Sequence, residues 1–106
     1  MKMDREQKYE ILFNNYSNPD IVVKRAFKQF DNDDNLQFDI STRKNKKYQI
    51  KGDFTDNKWI HFGEMGYEDY TFHKDKDRLN KFRSRNRDWG YRSAKTPAFL
   101  SYVLLW

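Results

Sequence analysis

Between Asp31 and Asn35 the apolar residues of this chain change period, and that change constrains the fold more than any other feature of the sequence. Before it, Tyr9, Leu12, Phe13 and Tyr16 fall at i, i+3, i+4, i+7, and Val23, Ala26, Phe27 and Phe30 repeat the spacing. That rhythm is one stripe of a helix. Asn18 followed by Pro19 supplies a cap and a first-turn proline whose missing N–H costs nothing. Residues 4–16 and 19–30 therefore read as an αα-hairpin. After the polar turn the rhythm becomes two. Leu36, Phe38 and Ile40 alternate with Gln37, Asp39 and Ser41, the segment KKYQIKG repeats the alternation at Tyr48 and Ile50, and KWIHFG supplies a third run. Alternation at period two is the mark of a strand with one buried face. The short links STRKN and DFTDN make a three-stranded antiparallel meander the simplest arrangement.

Beyond Gly63 and Gly66 the pattern is an irregular aromatic loop, then a helix over Asp75 to Arg87 with only Leu79 and Phe82 as its inward side. A turn at Trp89-Gly90-Tyr91 leads to a last short helix capped by Thr96 and running through Ala98, Phe99, Tyr102, Val103 and Trp106. This terminal segment, AFLSYVLLW, reads as an amphipathic helix closing the core over the sheet. The expected class is α+β. Residues 1–34 are expected to form a helical-hairpin extension and 35–106 a small α+β domain carrying the basic helix.

A chain of 106 residues falls within the usual size of one domain. Leu, Ile, Val and Phe together make up 23 residues, just above the fifth of the chain below which folding is rare. Nineteen aromatics compensate, because each buries far more area than an aliphatic side chain. The frequent Lys, Asn, Asp, Tyr and Phe are also what an AT-rich genome encodes, so lysine content by itself is no evidence of a partner. Cysteine is absent, which excludes disulfides and thiolate metal sites. The charged N-terminus does not resemble a signal peptide, and no apolar run is long enough to span a bilayer. No membrane partner is expected.

Charge is concentrated in one place. From Lys74 to Ala94 there are eight Lys/Arg and three Asp, which equals the formal net charge of +5, and the remaining 13 bases and 13 acids (21 less 8, 16 less 3) cancel. On a helix, Lys74, Arg78, Lys81 and Arg85 form one stripe at i, i+4, i+7, i+11. Lys76, Arg83 and Arg87 flank it and Arg92 follows the turn. Guanidinium forks on one face suit phosphate oxygens, and Trp89 and Tyr91 suit stacking on exposed bases. The candidate polyanion-binding set is therefore Lys74, Arg78, Lys81, Arg83, Arg85, Arg87, Trp89, Tyr91 and Arg92.

Other constellations are weaker. His73, Asp75 and Asp77, with His61 and Glu64, contain metal-ligating types, but Asp75 and Asp77 stand where a helix begins and where carboxylates favour the positive dipole end. The run DNDDN at 31–35 opens like a calcium loop, yet the sixth position is Leu36 instead of glycine and the twelfth is Thr42 instead of glutamate. No serine elbow, phosphate-cradling glycine loop or paired-carboxylate motif occurs. No catalytic residue, metal, cofactor or small-molecule substrate is expected.

From Lys46 onward the order of residues resembles an uncharacterised family of small basic proteins of large, giant-type DNA viruses. The features are Lys47-Tyr48, His61-Phe62-Gly63, Gly66, Asp69, His73-Lys74-Asp75, the series Arg78, Phe82, Arg85, then Trp89, Thr96, Phe99, Ser101 and Leu104-Leu105-Trp106. The sequence departs from that order at Arg85-Asn86, where Arg-His is expected, and at Thr96-Pro97-Ala98, where a glycine follows the threonine. The resemblance implies a viral setting, in the infected cell or the virion, and no mechanism. The expectation is a non-enzymatic viral protein that binds nucleic acid without sequence specificity through its basic helix. The alternative is a minor capsid or assembly protein whose basic face meets acidic coat-protein surfaces.

Overall fold

A computed structural model describes residues 3–106. The chain is α+β, with helices at both ends of a three-stranded antiparallel sheet of order β1-β2-β3. Helix α1 (Arg5–Asn15) starts at a reciprocal capping box, Asp4 accepting from the Gln7 backbone N–H while the Gln7 side chain accepts from that of Asp4. Helix α2 (Pro19–Gln29) starts at Asn18, whose side-chain oxygen accepts from the N–H groups of Asp20 and Ile21. The hairpin is therefore as the sequence predicts, but its inward faces are rotated. The buried residues are Lys8 and Leu12 on α1 and Pro19, Val22 and Ala26 on α2, whereas Phe13 and Phe27 are 44% and 50% exposed. The stripe through Val23 and Phe27 is thus one residue out of phase. Spacing alone does not distinguish Val22 from Val23, and packing selects the smaller pair Val22–Ala26 against the C-terminal segment and α1.

Strands β1 (Gln37–Ile40), β2 (Lys46–Lys51) and β3 (Ile60–Glu64) form the meander, with Phe38 opposite Ile50, Ile40 opposite Tyr48 and Tyr48 opposite Phe62. Cross-strand aromatic pairing follows: the Tyr48 ring lies 5.4 Å from Phe38 and 5.8 Å from Phe62. Alternation fails on the middle strand, because Lys47, Tyr48, Gln49 and Ile50 are all buried. Both faces of β2 are covered.

The loop expected to be irregular contains a one-turn helix, α3 (Tyr70–His73), capped by Asp69. The basic helix is shorter than predicted. It runs as α4 (Lys76–Arg85) from an Asp75 cap that accepts from Asp77 and Arg78, and a 3-10 turn carries Arg87–Tyr91. Lys74 falls outside it, in the left-handed conformation at the end of α3 (φ +55°). The four-residue stripe starting at Lys74 is thereby reduced to Arg78, Lys81 and Arg85. Helix α5 (Pro97–Leu100) starts at Thr96 and passes directly into a π-helical turn over Ser101–Leu105. The wider turn shifts the phase, so Leu100, Leu104 and Leu105 become the buried residues, while Phe99, Val103 and Trp106 are only partly covered.

One core unites these parts. Leu12, Val22 and Ala26 from the hairpin, Ile40, Tyr48, Ile50 and Phe62 from the sheet, and Leu100, Leu104 and Leu105 from the C-terminal segment form a single cluster. Residues from both 1–34 and 35–106 contribute to it.

Candidate nucleic-acid interface

The site begins with two buried lysines that are not available to a ligand. Lys8 is 6% exposed, and its ammonium donates to the backbone carbonyls of Ser41 (2.8 Å), Arg43 (2.8 Å) and Lys46 (2.5 Å). Three donors meet three acceptors, so the link between β1 and β2 is fastened from inside. Burial pulls the Lys8 pKa down. Lys47 is 2% exposed and Asp69 1%, with 3.1 Å between Nζ and Oδ2. Burial lowers the Lys47 pKa, and the Asp69 carboxylate opposes that shift.

Asp69 also ends a buried hydrogen-bond chain. The Tyr48 hydroxyl donates to Ser17 Oγ (2.6 Å), which lies 3.2 Å from Thr71 Oγ1, and Thr71 donates to Asp69 Oδ1. Burial pushes the Tyr48 pKa up, so its hydroxyl remains a donor. The backbone N–H of Asn18 adds a further bond to Thr71, and Asp69 N–H donates to the Tyr16 carbonyl. This network joins the hairpin turn, β2 and α3. A polar network in a low-dielectric interior fixes geometry only when its members are satisfied, and here they are.

On this base stands a groove of about 620 Å³. One wall is α4, which contributes Arg78, Lys81 and Arg85 at helical spacing. The opposite wall is the end of the sheet, with Lys46, Gly63 and Glu64. Phe82, Trp89, Leu105 and Trp106 supply the apolar surface. Gly63 makes this arrangement possible. Its φ is +79°, and a Cβ there would stand 3.0 Å from Leu105 Cδ1 and 3.1 Å from Lys47 Cβ. Only glycine permits the C-terminal segment to approach β3 this closely.

The aromatic surface is one cluster. Phe82 stacks on Trp106 (centroids 4.2 Å apart, planes 5° apart) and meets Trp89 edge-on at 5.6 Å. His73 packs on the Trp106 ring from another side at 5.2 Å. Helix α4 has no fully buried residue, and Phe82 anchors it in this cluster.

Ion pairing divides the basic residues. Arg78 pairs with Glu68 at 2.7 Å, Arg92 with Asp88 at 2.9 Å, and Lys46 with Glu64. Arg83 turns away from the groove, donating to the Trp106 carbonyl at 3.1 Å with its guanidinium 5.6 Å from the Tyr102 ring centre. Among the described residues, Lys74, Lys76, Lys81, Arg85 and Arg87 have no carboxylate within 4.0 Å. Of these, Lys81 and Arg85 line the groove.

Of the nine candidate residues, the structure brings Arg78, Lys81, Arg85 and Trp89 together at the groove. Lys74, Arg83, Arg87, Tyr91 and Arg92 are exposed but are not part of its lining. Trp89 is half-buried against Phe82, while Tyr91 is 89% exposed. Sequence reasoning missed Lys46, Glu64, Glu68 and Trp106. The only trace of the first was the lysine pair opening a strand, and the others required the tertiary fold.

The remaining polar clusters have structural roles. Asp75 caps α4, and His73 Nδ1 accepts from the Asp75 N–H at 2.9 Å. In the run 31–35, Asp33 accepts from the N–H groups of Asn35 and Phe54, and Asn35 donates to Asp53. Burial alone would raise the Asp33 pKa, but backbone hydrogen bonds from Asp53, Phe54 and Asn35 outweigh it and hold the pKa below the usual value. Among the described residues no three His, Asp or Glu side chains converge as a metal site, and no helix is long and apolar enough to cross a membrane.

Comparison with known proteins places part of the chain beside a family without an assigned role. The model of a family of unknown function, DUF5754, matches residues 36–86, from the start of the sheet to the end of α4. No curated protein and no solved structure matches this chain.

Proposed function

We propose that this is a non-enzymatic nucleic-acid-binding protein that grips the phosphate backbone along α4, and that its setting is a large DNA virus, in the infected cell or the virion. The observation that carries the reading is the pair Lys81 and Arg85, two unpaired cations on one helix face beside an aromatic groove. The charge surplus of the chain lies in this segment, and the rest of the chain is neutral. Charge on one solvated face attracts a polyanion over a Debye length of about 8–10 Å at moderate salt. Arg78 joins when a phosphate competes with Glu68, since an exposed ion pair contributes only about 0–1 kcal/mol. Arg87 and Lys74 extend the positive field beyond the groove without belonging to it.

The sequence resemblance to proteins of large DNA viruses supports the setting. Nothing in the site reads a base sequence from a duplex groove, so the binding is sequence-nonspecific. An electrophoretic shift with duplex and single-stranded DNA across a salt series tests the proposal. Retarded complexes at low salt that disappear towards physiological salt are expected, because each neutralised phosphate releases counterions. Absence of any complex at the lowest salt, together with binding to acidic coat-protein surfaces, would replace this reading with an assembly role.

A further inference from the structure

We infer that the groove beside α4 takes a single unstacked nucleobase, so that the protein prefers single-stranded nucleic acid to duplex; this rests on the polyanion reading above. A helix that only gripped phosphates would need cations on a solvated face and nothing more. Here Lys81 and Arg85 stand at the edge of a hollow of about 620 Å³, a size usual for sites that take small organic groups. Its surface is aromatic, from Phe82, Trp89 and Trp106. Planar groups stack on such surfaces whatever their sequence.

The charges of the groove leave two cations for a ligand. Glu64 and Glu68 both line the groove. Each is already paired with a cation of the same lining, Glu64 with Lys46 and Glu68 with Arg78. Lys81 and Arg85 are left for the phosphates of a strand, while an uncharged nucleobase stacks on the aromatic surface between them. An acidic peptide has the charge for these cations but carries no nucleobase to stack on the aromatic surface. The combination of unpaired cations and an aromatic hollow thus fits a nucleotide within a strand. In a duplex the base is paired and stacked, and presenting it would require flipping it out of the stack.

The test uses the unaltered protein at low salt. Fluorescence anisotropy is measured with labelled oligonucleotides of equal length: a base-bearing single strand, a single strand of abasic sites, and a duplex. The base-bearing strand is expected to bind about five- to a hundredfold more tightly than the abasic strand, the range for one stacked base. The duplex should match the abasic strand. Trp89→Ala should bring the base-bearing strand to the abasic level with an unchanged circular dichroism spectrum; the abasic comparison needs no variant and stands if that one fails to fold. Equal affinity for base-bearing and abasic strands would overturn the inference and leave the polyanion reading intact. No binding by any nucleic acid would overturn both.

Discussion

At the scale of single residues, the lysines of this chain divide into those that hold the fold and those that face solvent. Lys47 and Asp69 are almost wholly buried, so removing one leaves the other charged and unpaired. Lys47→Met is expected to cost about 3–5 kcal/mol in urea unfolding. Adding Asp69→Asn should recover part of that loss, and a double variant as unstable as the sum of the singles would contradict the pairing. The histidines give a second residue-scale prediction. Burial holds both rings below the ordinary 6.5, helped at His61 by Arg43, Lys8 and Lys46 and at His73 by Arg78, with Glu68, Asp69 and Asp75 opposing the shift at His73. The unfolded chain therefore takes up protons first as pH falls. The contribution of the histidines to stability is complete above 6.5 and is lost as pH drops through their lower folded values. Tm should be flat from about pH 8 to 7 and fall below about pH 6. A Tm that rises on acidification through that window would contradict the neutral rings.

Individual elements show how far sequence reasoning reaches. The hairpin and meander were legible because their polar punctuation is strong: Asn18-Pro19 and the run 31–35 leave few alternatives. The phase of each helix was not, since Val22 and Val23 are chemically alike and only the partner surface distinguishes them. The burial of Lys8 and Lys47 was invisible for the same reason, as their acceptors lie at least 22 positions away in sequence. The π-helical turn over Ser101–Leu105 has no local signature and shifts the inward residues of the last segment. Of the candidate site, the α4 wall could be read, because charge on a helix is periodic; the facing wall could not, because it comes from the sheet and depends on Gly63. That glycine carries a prediction for the element it supports. Gly63→Ala should cost about 1–3 kcal/mol, from the left-handed backbone alone. Displacing Leu105 should also change the tryptophan emission of the neighbouring aromatic cluster. A variant as stable as the parent would show that the close approach of β3 and the C-terminal segment is not needed.

For the whole molecule, the question is whether the sheet and basic helix can stand without the hairpin. The radius of gyration is 13.3 Å, the value of about 13 Å expected for one compact body of this length. A fragment of residues 35–106 would lose Leu12, Val22 and Ala26 from the core, the Lys8 ammonium from the β1–β2 link and Ser17 from the Tyr48 network. It is expected to show no cooperative thermal transition by circular dichroism; a sharp transition would establish it as an independent domain. An intact fold is what holds α4 against the end of the sheet, and the proposed grip on nucleic acid depends on that placement. The most direct test compares the intact protein with its Lys81→Ala/Arg85→Ala variant, which removes the two groove cations that have no carboxylate within 4.0 Å. Log binding constant against log salt, with one single-stranded oligonucleotide, should be linear for both. The variant's line should be shallower by about 1.4, two phosphates at about 0.7 each. Equal slopes for the two proteins, with binding retained, would show that the strand lies elsewhere and would contradict the account.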